Sequence, residues 1–280
     1  MPPDDLTEEQ IHRYSRQLIV PGFGGAGQAR LAAGSVLVVG AGGLGSPVAY
    51  YLAAAGVGRI GLVDDDVVSL SNLQRQILHR TSDLGRPKVE SGARTLVELN
   101  PEVQVFRHQT RLMAANALDL VSGYDVIVGA LDNLPSRYVL NDACLLAQKP
   151  LVEAGVLRWD ALLTTVLPGE TACYRCIFPV LPPPDAVLGC ADAGIIGPVA
   201  GMAGTIQAIE ALKLLLGMER DKLLAGRLLV ISARDMSMRT VAIDRNPRCA
   251  VCGPDAGPIV LRDEGGAEQC DPGCDVRGAR

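Results

Sequence analysis

Ser35 to Ser46 reads SVLVVGAGGLGS, and the reading of these residues decides the fold. SVLVV is an unbroken apolar run of strand length, which suits a strand buried on both faces. Gly40-Ala41-Gly42-Gly43-Leu44-Gly45 then matches GxGxxG, and a helical pattern follows from Ser46 to Ala55. Glycines let the backbone turn sharply and approach phosphate or ribose. The helix N-terminus adds unpaired N–H groups and the positive end of the helix dipole. A glycine turn also arises from packing alone, so the context matters. Asp64 ends the next apolar run, 19 residues beyond Gly45, where a carboxylate can accept hydrogen bonds from ribose hydroxyls. This arrangement predicts a nucleotide site.

Further strand-like runs lie at Arg59–Val63, Val103–Phe106 and Asp125–Val128, with helical patterns at Lys88–Leu99 and Leu134–Ala147. The alternation predicts an α/β fold: a Rossmann-like, mostly parallel sheet with helices on both faces. Ala161–Leu167 and Arg227–Ile231 are later strand candidates, and a long helix is expected from about Pro198 to Leu216. Thr7 followed by Glu8 and Glu9 marks the start of an N-terminal helix through Gln17. Pro179–Val187 carries too many prolines for a helix or central strand and is expected as an exposed loop. Residues 1–253 are read as one domain with this helix at its start, and the glycine-rich residues 254–280 as a mobile tail.

The 280-residue chain is 48% hydrophobic and 20% charged, enough apolar content for a substantial core. A net charge of -5, a pI near 5.3 and 4% aromatics argue against nucleic acid as a partner. Ser35–Gly58 is uncharged, but its six glycines and Pro47 fit strand, turn and helix better than a membrane span. MPPDDLTEEQ lacks the basic start and apolar core of a signal peptide, so a cytoplasmic protein without membrane attachment is expected.

From Asp64 the chain runs DDDVVSLSNLQRQ, with Arg75 in Ser71–Gln76, then GRPKVE with Lys88, then ALDNLPSR with Asp132 and Asn133. Residues just past the C-terminal ends of parallel strands converge on one sheet edge. An arginine, a lysine and a carboxylate converging there fit a triphosphate with magnesium better than nicotinamide. Each of them taken alone reads as solvated surface charge.

Together RYSRQL (Arg13–Leu18), GAGGLG, VDDDVVSLSNLQRQ, GRPKVES, LDNLPSRYVLN and two CxxC pairs resemble the adenylating enzymes related to ubiquitin-activating enzyme, the MoeB/ThiF/HesA family. The likeness is greatest to the molybdopterin-synthase adenylyltransferase branch and covers about Arg13 to Gly253. It implies ATP-dependent adenylation of the C-terminal glycine of a ubiquitin-like sulfur carrier ending in Gly-Gly, with release of pyrophosphate. It implies further that Gly43 approaches the nucleotide and Asp64 holds ribose. Within Ser71–Gln76, the residues Ser71, Asn72, Arg75 and Gln76 bind the nucleotide with Lys88 and Asn133, while Asp132 serves magnesium. Arg16 would reach the ATP site of the other subunit of a homodimer, with Arg13 as the alternative. The pathway fed could be molybdopterin, thiamine thiazole or tRNA thiolation. The 27 residues after Gly253 leave no room for a rhodanese-like domain, so sulfur is expected from a separate donor such as a cysteine desulfurase or rhodanese.

Cys173-Tyr174-Arg175-Cys176 and Cys249-Ala250-Val251-Cys252 each present two thiolates on one knuckle. Two knuckles complete a tetrahedral structural zinc site, against a redox CxxC reading. Cys190, in LGCADAG after the proline-rich loop, is read either as a carrier-reactive thiol or as a small residue in a crossing loop. Cys144 is expected in the core, and Cys270 and Cys274 in the tail. His79, beside the SNLQRQ segment, is expected to be structural or exposed, with lining of the site as the alternative. The rival functions are a nicotinamide-dependent oxidoreductase and a catalytically silent carrier-binding protein.

Overall fold

The computed structural model describes residues 6–182 and 194–263. Cys190, Cys270, Cys274 and residues 183–187 of the proline-rich segment lie outside them.

Thr7 caps α1 (Glu8–Leu18) by accepting from the Gln10 N–H at 3.2 Å, and the Gln10 side chain accepts from the Thr7 N–H in return. α2 (Gly24–Ala33) leads into β1 (Ser35–Val39), followed by α3 (Gly45–Ala54) and β2 (Arg59–Val63). Then come α4 (Lys88–Leu99), β3 (Gln104–His108), α5 (Ala114–Ser122), β4 (Val126–Gly129) and α6 (Leu134–Leu146). The second half holds β5 (Leu151–Leu157), β6 (Asp160–Val166), α7 (Tyr174–Ile177), α8 (Gly197–Leu215), β7 (Arg227–Ser232) and β8 (Ser237–Ala242).

The strands form one sheet in the order β3-β2-β1-β4-β5-β6-β7-β8. Pairs from β3 through β5 are parallel, and those from β5 to β8 antiparallel. The chain order reverses on either side of β1, and this switch point opens a crevice at the C-terminal strand edge. The Rossmann-like reading therefore holds, with an antiparallel extension on one side.

Each face of the sheet has its own core, so β1 is buried on both sides. On one face Leu52, Leu62, Val89, Leu96 and Ala203 pack under α3, α4 and α8. On the other, Leu37, Ile127, Val139, Val121 and Cys144 pack under α5 and α6. Each such large side chain contributes about 1.5–3 kcal/mol on burial. Ile259 and Leu261 pack against the second core, and the Ala114 N–H donates to Asp263 at 2.9 Å.

Five elements escape a pattern reading, among them α7, a single turn that starts inside the first CxxC pair. α2 is glycine-rich, α5 is a short helix after an irregular turn, β5 carries Glu153 and Gly155 inside an apolar run, and β8 is exposed throughout. In each, tertiary packing or strand pairing overrides a weak local signal.

Candidate active site

The glycine loop has the shape its sequence requires. Gly40 adopts φ +102°, and a Cβ there would stand 2.5 Å from the Ala130 carbonyl oxygen. A Cβ on Gly45 would lie 1.8 Å from the Gly40 carbonyl oxygen, so only glycine lets α3 start this close to β1. Gly43 faces the aliphatic stem of Arg75, whose Cγ lies 3.4 Å from where a Cβ would be.

At this edge lies a cleft of about 330 Å³, lined by Gly43, Asp64, Arg75, Gln76, Lys88, Asp132 and Asn133 among others. Seven residues singled out from scattered sequence segments thus share one cavity. Ser71 and Asn72 stand outside its lining, on the 3-10 turn Leu70–Asn72. Asn72 closes that turn, its side chain accepting from the Ser69 N–H at 3.3 Å, while the Ser71 carbonyl accepts from Arg75 Nη1 at 3.0 Å. These two residues thereby orient the arginine.

Lys88 opens α4 and is buried, its Nζ 2.7 Å from Asp66 Oδ2 and 3.9 Å from Asp64 Oδ1. Asp64 accepts from the Ala41 N–H at 2.8 Å and the Asp66 N–H at 2.9 Å. Burial raises the Asp64 pKa, with Lys88 and both backbone donors pulling it back. Asp132 is exposed at the rim, and Asn133 caps α6 by accepting from the Ser136 N–H at 2.9 Å. Gln76 is 5% exposed, and its Oε1 is a buried acceptor without a hydrogen-bond partner among the described residues. An acceptor left this way inside a cleft has room for a donor on a ligand.

Two lining cations went unnoticed in the sequence. Arg111 follows β3 and meets the same rule that located Asp132, so strand-end position could have found it. Arg137, within LDNLPSRYVLN, is buried; its Nη1 donates to Glu153 at 2.5 Å and Ala154 O at 2.6 Å, and its Nη2 donates to Leu131 O. Nothing local in the sequence reveals that pairing.

Arg16 is exposed on α1 and does not line the cleft of its own chain. α1 is pinned to the far edge of the sheet, where Gln17 donates to Ala55 O and Arg13 to Leu99 O, both at 3.2 Å. Arg13 is thus engaged within its own chain, and Arg16 is the arginine of this segment left to project.

The four zinc-candidate cysteines come together at the base of α7. Sγ separations are 3.8 Å for Cys173–Cys176, 3.7 Å for Cys173–Cys249 and 3.3 Å for Cys176–Cys252, and all four lie within 4.8 Å of one another. A tetrahedral zinc with bonds of about 2.3 Å sets its sulfurs about 3.8 Å apart, so the group fits. Burial and the neighbouring thiols push the Cys173 pKa upward, so a cluster of thiolates here needs a cation among them. The Asn246 N–H also points at Cys176 Sγ, at 3.4 Å. None of the four lines the cleft. Cys144 is fully buried in the core, as expected.

Among the described residues no helix is long and apolar enough to cross a membrane. The ThiF family pattern matches residues 14–251. The chain is 48% identical over 256 residues to the adenylyltransferase and sulfurtransferase MOCS3 of Drosophila yakuba, covering 91% of this chain and 56% of that protein. This chain therefore spans little more than half the length of that relative. It is also 48% identical over 252 residues to the sulfur carrier protein adenylyltransferase of Thermus thermophilus, covering 88% of this chain and 92% of that one. Among solved structures, E. coli MccB with ATP superposes with a TM-score of 0.73 at 26% identity, covering 86% of this chain and 74% of that one. Matched almost from end to end by the family's pattern, and placing its glycine loop and charged residues around one cleft, the chain belongs to the ThiF family.

Proposed function

We propose that the protein adenylates the C-terminal glycine of a ubiquitin-like sulfur carrier ending in Gly-Gly, using ATP and magnesium. The observation that carries this reading is the convergence of Arg75, Lys88 and Asp132 on one cleft beside the glycine loop. The carrier carboxylate attacks the α-phosphorus of ATP, an acyl-adenylate forms and pyrophosphate leaves. No protein nucleophile is needed, so the site works by positioning and by neutralising charge on phosphate oxygens.

In this reading Gly43 lets the nucleotide approach and Asp64 accepts from ribose. Lys88 and Arg75 meet the phosphates, and Ser71 and Asn72 hold Arg75 in place. Gln76 and Asn133 offer polar groups to the nucleotide, and Asp132 holds magnesium. Arg16 crosses to the cleft of a second subunit in a homodimer. Cys173, Cys176, Cys249 and Cys252 hold a structural zinc that leaves no open coordination position. Cys190 is assigned as a thiol that meets the activated carrier, and its test is a carrier thioester lost in Cys190→Ser. Residues 1–253 form the adenylating domain and 254–280 an appendage, with sulfur arriving from a separate donor in the cytoplasm.

The test is carrier-dependent exchange of pyrophosphate into ATP, run with candidate carriers ending in Gly-Gly. Exchange that appears only with carrier, ATP and magnesium together is the expected result. Zinc-replete protein that exchanges with none of them, or that changes nicotinamide absorbance instead, removes the reading.

A further inference from the structure

Both backbone polar groups of Ala41, the second residue of the glycine loop, are held by side chains from elsewhere in the chain. Its N–H donates to Asp64 Oδ2 at 2.8 Å, and its carbonyl lies 3.0 Å from His79 Nε2. His79 is 5% exposed and comes from the segment joining β2 to α4. Its other ring nitrogen, Nδ1, lies 3.0 Å from Ser91 Oγ, and Ser91 Oγ lies 2.8 Å from Asp83 Oδ2. Asp83 is fully buried and is also held by Arg94 and the Arg80 N–H. The ring is thus fixed at both ends.

The chemistry of these partners sets where the imidazole proton sits. A carbonyl oxygen only accepts, so the contact with Ala41 requires a proton on Nε2 whatever the charge of the ring. Ser91 donates its one hydroxyl proton to Asp83, so its oxygen faces Nδ1 as an acceptor and takes a bond from the ring when Nδ1 is protonated. Burial first, and then Lys88, hold His79 below its ordinary pKa, while the Ala41 contact and Asp83 act the other way. A neutral ring with its proton on Nε2 keeps the Ala41 bond, and so does the doubly protonated ring.

Gly42 and Gly43, which follow Ala41, line the cleft. The peptide that enters this turn therefore decides how the turn faces a bound phosphate. We propose that His79 is a positioning residue of the nucleotide site, its Nε2–H fixing the Ala41 carbonyl and thereby the glycine loop, with Ser91 and Asp83 orienting the ring. The inference deepens the adenylation reading and rests on it.

Two substitutions separate the donor from the bulk. Glutamine carries an amide nitrogen near the position of Nε2, whereas asparagine is too short to reach Ala41 and replaces only the Nδ1 end. The dissociation constant of MgATP is measured by equilibrium titration of the full chain, with zinc content and thermal unfolding checking that each variant folds. His79→Asn is expected to weaken MgATP about 10-fold, the effect of losing one buried hydrogen bond, and to raise the KM for ATP in exchange more than it lowers kcat. His79→Gln is expected to stay within about 3-fold of wild type. Equal weakening in both variants, or none in a folded His79→Asn, overturns the inference.

Nitrogen NMR of wild-type protein needs no substitution, and it should find Nε2 protonated with and without MgATP. A ring protonated on Nδ1 alone overturns the inference as well. Wild-type protein that fails to bind MgATP removes the adenylation reading itself, which is a different outcome from normal binding in His79→Asn.

Discussion

The Lys88 ammonium lies 2.7 Å from the Asp66 carboxylate while its side chain is only 6% exposed. Asp64 stands on its other side at 3.9 Å, so one buried cation serves two carboxylates before any substrate arrives. On the proposed function, a triphosphate entering the cleft competes for that cation, and the exposed Asp66 side chain can turn to water when it does. Asp64 also accepts from the Ala41 and Asp66 N–H groups, which limits how far that carboxylate can move.

Replacing Lys88 with methionine keeps the stem and removes the charge. Carrier-dependent pyrophosphate exchange should fall about 10²–10³-fold, the loss typical of one preorganised charge contact. Asp64, already raised by burial and restrained mainly by Lys88, should rise further. The loss of ATP affinity on acidification should then begin at higher pH in the variant than in wild type. Exchange kinetics measured across a pH series check both parts, and an unchanged acid limb excludes the coupling.

Cys249→Ser should remove zinc before it removes chemistry. Metal analysis is expected to fall from about one zinc per chain to none, with a lower unfolding temperature. Because no cysteine of the cluster lines the cleft, exchange at low temperature should persist in the fraction that stays folded. Loss of exchange at full stability would point instead to a direct chemical role for the cluster.

A mixture of Arg16→Ala and Lys88→Ala chains tests whether the cleft is completed across subunits. Each variant alone should be nearly inactive. In the mixed dimer, one cleft has its own Lys88 and the partner's Arg16 intact, so about a quarter of wild-type activity should return when dimers form statistically. A mixture that dimerises and stays inactive rejects the assignment of Arg16.

Glu153 supplies a pH signature of the fold. Burial, opposed by the Arg137 guanidinium at 2.5 Å, lifts its pKa from the ordinary 4.5 to about 7. Between those values the folded chain holds a proton that the unfolded chain lacks. The contribution of Glu153 to stability therefore falls as pH rises through this window, by about 3 kcal/mol in all. Glu153→Gln cannot titrate. Urea unfolding at about pH 5 and about pH 8 should show wild type losing ground to the variant at the higher pH. A difference independent of pH is the contrary result.

Much of this site was legible in the sequence, because its residues obey a rule of position along the chain. Gly43, Asp64 and Asp132 follow strands whose apolar runs are plain, and parallel strands deliver their C-terminal ends to one edge. Arg111 obeys the same rule, three residues past a strand that is plain in the sequence, yet a lone arginine there reads as solvated surface charge until the fold places it in the cleft. The two CxxC pairs were likewise readable, since spacing alone puts two thiolates on each knuckle.

Other features have no local signal. That Arg137 is spent on Glu153 and Leu131, that Gln76 leaves a buried acceptor in the cleft, and that Ser71 and Asn72 orient Arg75 all depend on distances between segments. The same holds for His79, which looked like a structural or surface histidine and stands against the carbonyl of Ala41. The sequence by itself determined the strand and helix periods, the glycine turn and the ligand chemistry, since these follow from residue type and spacing. The tertiary structure alone decided which polar atoms meet, because hydrogen-bond partners here lie as far apart in the chain as Ala41 and His79 and are chosen by packing.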